Sequence, residues 1–96
     1  MKPSDAVRAH REALRALAER HRLKNLRVFG SVAAGDDTEL SDLALLVDAP
    51  AGATLFDLGG FQVRVSRLLG VEVNVVTSAD LPPEVRDRVL HEAVGV

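Results

Sequence analysis

One short segment, residues 42–48, limits what this chain of 96 residues can fold into. It reads Asp-Leu-Ala-Leu-Leu-Val-Asp, so an unbroken apolar run stands between two carboxylates. Such a run is typical of a strand that is buried on both faces. A strand of this kind needs neighbouring strands and packed helices, and a chain this short supplies one core of modest size. We therefore expect residues 1–96 to form a single domain.

Apolar spacing and turn residues divide the whole chain into alternating helices and strands. Lys24-Asn25 breaks the pattern before the first strand, and Gly70 is expected to end the second helix. The predicted order, α-β-β-α-β-α, gives a small mixed sheet of three to four strands packed against helices, in the α/β (α+β) class. The predicted segments are a helix over 4–22, a strand over 26–29, a loop or short helical turn over 32–41, a strand over 42–48, a helix over 54–69, a strand over 71–77 and a helix over about 83–94.

Composition excludes several classes of protein. The chain has no cysteine, which excludes a disulfide framework, a thiolate metal site and a cysteine nucleophile. No apolar run approaches the length of a membrane span, and the charged start does not resemble a signal peptide. We expect a soluble cytoplasmic protein that makes no use of a membrane.

The net charge of −2 conceals an uneven distribution. Residues 1–27 are basic and residues 28–96 are acidic. The basic opening helix either meets phosphates or an acidic partner, or is simply a solvated face. With three phenylalanines and no Tyr or Trp the chain lacks a stacking platform, so direct nucleic-acid binding is not expected.

The chemistry is expected where the first strand ends and the second begins. Gly30 follows the first strand, and without a side chain it lets a phosphate approach the backbone closely. Ser31 can donate its hydroxyl and its backbone N–H to a phosphate oxygen. Asp42 opens the next strand, where a carboxylate could hold a divalent cation.

Three stretches of this sequence together resemble a known family. They are Gly-Ser-Val-Ala-Ala-Gly at 30–35, Ser-Asp-Leu-Ala-Leu-Leu-Val at 41–47 and Val-Asn-Val-Val-Thr at 73–77. The spacing is similar to that of the minimal nucleotidyltransferases, which belong to the polymerase-beta-type nucleotidyltransferase superfamily. The resemblance implies an antitoxin that binds a HEPN-domain toxin and transfers AMP from ATP to a toxin tyrosine, with Mg²⁺ as cofactor. It also implies that Gly30 and Ser31 hold the triphosphate.

The departures from the family pattern concern its charged residues. The family's site has three carboxylates, two at alternate positions of one strand and a third on the neighbouring strand. The corresponding residues here are Asp42, Ala44 and Asn74, so only Asp42 remains to bind metal. Ala34 replaces an arginine expected to contact phosphate. We therefore expect a degenerate site with severely impaired catalysis, because such a site works by positioning and electrostatics.

Two questions stay open at this point. Glu72, two residues before Asn74, either compensates for a lost carboxylate or is an exposed charge at the rim. Ala44 is either a substitution introduced in place of an aspartate or the result of natural loss of that aspartate. The residues Ala34 and Asn74, which also depart from the family pattern, partly favour natural loss.

Two functions from different classes follow. The first is an antitoxin enzyme that is weakened or disabled in this chain. The second is a binding module that neutralises its partner by occlusion or merely holds it in a complex. Nucleotidyl transfer to tRNA or to an antibiotic would need additional domains. A binding module requires an apolar patch, offered by the second helix (Leu55, Phe56, Phe61, Leu68) or the last (Val85, Val89, Leu90).

The remaining charged residues have simpler interpretations. Asp36, Asp37 and Glu39 are expected to form a solvated acidic loop, or one that steers a basic partner surface. Asp48 is interpreted as a residue at the end of a strand and not as a metal ligand. Arg64 and Arg67 are expected at the surface or against a partner.

Overall fold

Five α-helices and four β-strands make up the fold, and the computed structural model describes all residues, 1–96. Their bounds are α1 Pro3–Ala9, α2 Arg11–Arg20, β1 Lys24–Phe29, α3 Ser31–Ala34, β2 Leu43–Asp48, α4 Leu55–Leu69, β3 Val73–Thr77, α5 Pro83–Glu92 and β4 Val94–Gly95. A 3₁₀ turn over Ser78–Asp80 connects β3 to α5.

The strands form one mixed sheet in the order β3-β2-β1-β4. β1 runs antiparallel to both β2 and β4, whereas β2 and β3 are parallel and joined through α4. The predicted mixed α/β fold is confirmed.

β2 is the centre of the core, as its apolar run predicts. Leu43, Leu45 and Val47 are fully buried and belong to the main apolar cluster with Phe61 and Val65 of α4. Leu46 points to the opposite face by strand alternation and is also fully buried. Both faces of β2 are therefore covered along its second half, while Ala44, nearer its start, stays partly exposed.

Several predicted boundaries are wrong. The first helix is interrupted at His10 (φ −119°, ψ 25°), which leaves α1 and α2 as two shorter helices. β1 begins at Lys24, two residues earlier than predicted. The strand extends this far because Asn25 adopts the left-handed region at φ 52° and so accommodates an irregularity in the pairing with β2. The last helix ends at Glu92, since Val94 leaves it to pair with Val28 of β1.

The predicted apolar patch of the second helix needs one correction. Leu55 and Phe56 are 86% and 91% exposed, so both are available to that patch. Phe61 was expected at an exposed edge and is completely buried. A capping box at Thr54 and Asp57 starts α4, so its first turn is fixed by polar contacts and does not need Leu55 in the core.

None of the helices has both the length and the apolar character required to cross a lipid bilayer.

Candidate functional site

The turn after β1 has a backbone shape that requires glycine. Gly30 adopts φ 73° and ψ −144°, a region essentially closed to other residues. Ser31 then begins α3, whose first intrahelical bond runs from the Ala34 N–H to the Gly30 carbonyl at 3.0 Å. Gly35 ends this single helical turn in the left-handed conformation. The chain therefore reverses tightly and leaves Gly30 exposed.

Strand register brings the predicted site residues together across three strands. Ala44 of β2 is paired with Phe29 of β1 on one side and with Asn74 of β3 on the other. A Cβ added to Gly30 would lie 3.8 Å from the Ala44 Cβ. Asp42 stands two residues before Ala44, immediately before β2 begins. Gly30, Ala44 and Asn74 thus lie next to one another at one edge of the sheet, and Ser31 and Asp42 adjoin them in the chain.

This edge holds one carboxylate. Asp42 and Asn74 are exposed, the Asn74 amide carries no charge, and the Ala44 methyl group offers no donor. Nowhere in the molecule do three or more His, Cys, Asp or Glu side chains form a group able to hold a metal ion. Magnesium takes carboxylate and other oxygen ligands, and a two-metal centre needs several of them. The residues present therefore do not fit the magnesium centre that the family resemblance implies.

Glu72 lies beside this edge as an exposed residue. Its backbone carbonyl accepts a hydrogen bond from the Leu43 N–H at 2.8 Å, which extends the β2–β3 ladder. Its side chain makes no ion pair or hydrogen bond within the chain. This agrees with the interpretation of Glu72 as a charge at the rim.

Asp37 is a residue whose role the sequence does not reveal. It is only 7% exposed, and its Oδ2 accepts a hydrogen bond from the Ser4 N–H at 2.8 Å. Ser4 lies in the first turn of α1, where Lys2 provides no side-chain cap, so Asp37 caps that helix from 33 residues away. The expectation of a wholly solvated acidic loop is wrong at this residue, because its partner is remote in sequence. Asp36 and Glu39 are exposed, as expected.

The Asp37 contact also perturbs that carboxyl group. Burial by itself would raise the pKa of Asp37, but the hydrogen bonds from Ser4 and the nearby charge of Lys2 outweigh it and lower the pKa. The segment between Gly35 and Asp42 is closed further by a bond from the Thr38 N–H to Ser41 Oγ at 2.9 Å. The loop that leads into the site is therefore fastened to the N-terminal helix.

Asp48 lies at the other end of β2 from the candidate site. Its carboxylate accepts hydrogen bonds from Asn25 Nδ2 at 2.6 Å, Arg27 Nη2 at 3.0 Å and Ser78 Oγ at 3.3 Å. The bond from Asn25, opposed by burial and assisted by Arg27 and Ser78, lowers the pKa of Asp48. These contacts join β1 to the turn after β3, in agreement with a structural residue at the end of a strand.

With this geometry defined, comparison with known proteins identifies the class. The family described as "Nucleotidyltransferase domain" matches residues 10–96. This chain belongs to that nucleotidyltransferase family, and the predicted resemblance is confirmed.

Two relatives of this chain carry names that specify a kind of nucleotidyltransferase. The chain is 33% identical over 88 residues to "Protein adenylyltransferase MntA" of Thermococcus cleftensis, covering 92% of this chain and 86% of the relative. It is 38% identical over 77 residues to MJ0435 of Methanocaldococcus jannaschii, also named as a protein adenylyltransferase, covering 80% and 83%.

Solved structures agree on the fold. A structure described as a minimal nucleotidyltransferase superposes with a TM-score of 0.88 at 43% identity, covering 97% of this chain and 95% of that one. A crystal structure described as a toxin–antitoxin with AMP-PNP superposes with a TM-score of 0.75 at 16% identity, covering 88% and 69%. The second likeness concerns the fold alone.

Proposed function

We propose that this protein is a cytoplasmic antitoxin that binds a HEPN-domain toxin, and that its own nucleotidyl-transfer site is severely impaired. In an active form, such a site would transfer AMP from ATP to a tyrosine of the toxin. The protein adenylyltransferase relatives and the fold of the toxin–antitoxin structure support this proposal. In this chain, toxin binding carries most or all of the neutralising effect.

One observation carries the proposal of impairment. The strand register pairs residue 44 with residue 74, residue 42 stands just before the same strand, and only residue 42 is a carboxylate. Each missing carboxylate removes a full charge from the place where a dication would bind. A chain with this donor set can hold a nucleotide through its backbone turn more readily than it can promote transfer.

The proposed nucleotide contacts belong to the β1–α3 turn. Gly30 leaves room for a phosphate beside the backbone, and the Ser31 hydroxyl and N–H would donate to its oxygens. Asp42, at the same edge, would help to orient the bound substrate. Binding of ATP without efficient transfer is the expected behaviour.

Intact-mass spectrometry of the toxin tests this function. The HEPN-domain toxin proposed as the partner is incubated with ATP, Mg²⁺ and either the unmodified chain or the double variant Ala44→Asp/Asn74→Asp. We expect AMP-sized mass increments with the double variant and essentially none with the unmodified chain. Ala49→Asp/Ala51→Asp is the matched control, because it also adds two negative charges, at exposed positions beyond the other end of β2.

The outcomes separate the two classes of function. Efficient AMP addition by the unmodified chain would contradict the impairment. No addition by either protein, together with a stable complex that silences the toxin, would identify an antitoxin that works by binding alone. Absence of any complex with the toxin would contradict the proposed function.

A further inference from the structure

The outer face of α4 exposes an unusual amount of apolar surface. Leu55 and Phe56 are 86% and 91% exposed, and Val63 is 48% exposed. They border a groove of about 670 Å³ on the surface of the helix. We call this the α4 groove, and its lining consists of Leu55, Phe56, Gly59, Gly60, Val63, Arg64 and Arg67.

The shape of the α4 groove suits a protein better than a small molecule. All of its lining residues except Gly60 are exposed, so the groove encloses nothing. Small-molecule sites bury most of their ligand and direct a few polar groups toward it. An open apolar helix face is instead the surface into which another helix packs.

Gly59, in the middle of this face, has no explanation within the chain. A glycine inside a helix costs about 1 kcal/mol relative to alanine. At Gly60 the chain provides a reason, because an added Cβ would lie 3.2 Å from His21 Cε1. At Gly59 an added Cβ would meet nothing within 4 Å. An external backbone that approaches the helix closely would account for the missing side chain.

The charges beside the α4 groove indicate what approaches. Arg64 and Arg67 are both exposed, and neither makes an ion pair or a side-chain hydrogen bond in the structure. A partner that carries carboxylates next to its apolar side chains would complement them. The chain itself is acidic beyond residue 27, which makes two free arginines on one helix face distinctive.

We propose that the α4 groove is the docking surface for an α-helix of the partner toxin. That helix would carry a stripe of small apolar side chains flanked by carboxylates. This inference rests on the proposed function, because it names the surface through which the antitoxin holds its toxin. Phe56 and Val63 would supply the buried apolar contacts, Gly59 the close backbone approach, and Arg64 and Arg67 the charge pairing.

A second copy of this chain fits the α4 groove less well. Antiparallel packing of two α4 helices around Gly59 would put Arg64 over the apolar start of the other helix. Arg67 would then lie near the other helix's N-terminus, where the helix dipole is positive. Parallel packing would place arginine against arginine. The only carboxylate of α4, Asp57, is already bound to Thr54 and Arg22, so neither arrangement supplies a free carboxylate to the two guanidinium groups.

Affinity for the HEPN toxin, measured by titration calorimetry, tests the surface. We expect Arg64→Glu/Arg67→Glu and Phe56→Ser each to weaken binding at least about tenfold. Arg20→Glu/Arg88→Glu, which reverses two charges at exposed residues of α2 and α5, is the matched control and should leave affinity unchanged. Raising NaCl from about 50 to 500 mM should weaken the complex of the unmodified chain and have a smaller effect on Arg64→Gln/Arg67→Gln.

A glycine variant separates docking from folding. Gly59→Ala should raise the melting temperature of the isolated chain and still weaken its complex with the toxin. A toxin complex that forms with the unmodified chain and is insensitive to all the α4 variants overturns this inference and leaves the proposed function intact. No complex with the unmodified chain contradicts both. An isolated unmodified chain that is a dimer, and becomes a monomer on Phe56→Ser, overturns the toxin assignment in favour of self-association.

Discussion

Single residues decide both the shape and the weakness of the candidate site. Gly30 allows the reversal after β1, and its φ of 73° with ψ of −144° is more restrictive than the left-handed conformation of Gly35 at φ 79° and ψ 15°. Ala44 stands between Phe29 and Asn74 in the sheet and contributes only a methyl group to the site. The edge where we propose that a phosphate binds therefore lacks the charges expected beside it.

The two turn glycines should respond differently to substitution. An added Cβ at Gly30 meets only Ala44 Cβ at 3.8 Å, an ordinary contact, so any loss comes from the backbone. We expect Gly30→Asn to lower the free energy of unfolding by about 1–3 kcal/mol. Gly35→Asn should cost about 1 kcal/mol or less, because asparagine tolerates the left-handed region. Urea unfolding of both variants measures the difference, and equal losses would contradict the assignment.

The capping of α1 by Asp37 gives a second prediction about a single residue. Asp37→Ala removes the cap of α1, and we expect a loss of about 0.5–2 kcal/mol in the free energy of unfolding. Asp36→Ala, at an exposed neighbouring position, is the control and should change stability little. Hydrogen exchange should locate the effect in α1 as well as in the loop. A loss confined to the loop would contradict the capping role.

At the scale of elements, α4 faces two different environments. Phe61 and Val65 are fully buried against the sheet, and the ring of His21 packs against Phe61 at a centroid distance of 5.9 Å. The opposite side presents Phe56 and Gly59 to solvent. The side of α4 that faces the sheet is thus determined by core packing, whereas the opposite side is available to contact a partner.

The adjacent glycines of α4 should separate these roles in the isolated chain. Gly59→Ala gains helix propensity and meets no atoms, so we expect stabilisation by about 1 kcal/mol. In a domain of this size that corresponds to a rise of about 4–8 °C in melting temperature. Gly60→Ala must displace the His21 ring and should gain less or lose stability. Calorimetry compares the two variants, and equal gains would contradict the distinction.

At the scale of the whole molecule, carboxylates with lowered pKa values tie distant segments together. Asp37 joins α1 to the site loop, Asp48 joins β1 to the turn after β3, and Asp57 belongs to the first turn of α4. The bond from the Thr54 backbone N–H, opposed by burial and assisted by Arg22, lowers the pKa of Asp57. Acid should therefore weaken the fold in several places at once.

The sign of this pH dependence follows from the lowered pKa values. A carboxyl group whose pKa is lower in the folded state contributes stability above its unfolded pKa of about 3.9, and this contribution is lost as pH falls through the folded value. We expect the free energy of unfolding to decline below about pH 5. Asp37→Asn/Asp48→Asn should show a flatter decline in urea unfolding between about pH 3 and 7. Parallel profiles would contradict the role of these two groups.

Local patterns predicted the fold because they reflect local physics. The apolar run before Asp48 identified β2, and two of the predicted site residues, Ala44 and Asn74, are paired in the sheet. The sequence alone did not reveal long-range contacts: the pairing of Val94 with Val28 and the capping of Ser4 by Asp37 depend on segments far apart in sequence. Whether an apolar residue faces the core or solvent, as at Phe61, depends on packing that the helical period alone does not specify.

The capping contact from Asp37 makes the start of the chain and the approach to the site one thermodynamic unit. A ligand that orders the loop containing Asp37 should therefore also slow the opening of α1. A change that frays α1 should in turn loosen that loop. Amide protons in the first helix can therefore serve as an internal reporter of site occupancy, although no residue of that helix contributes to the site.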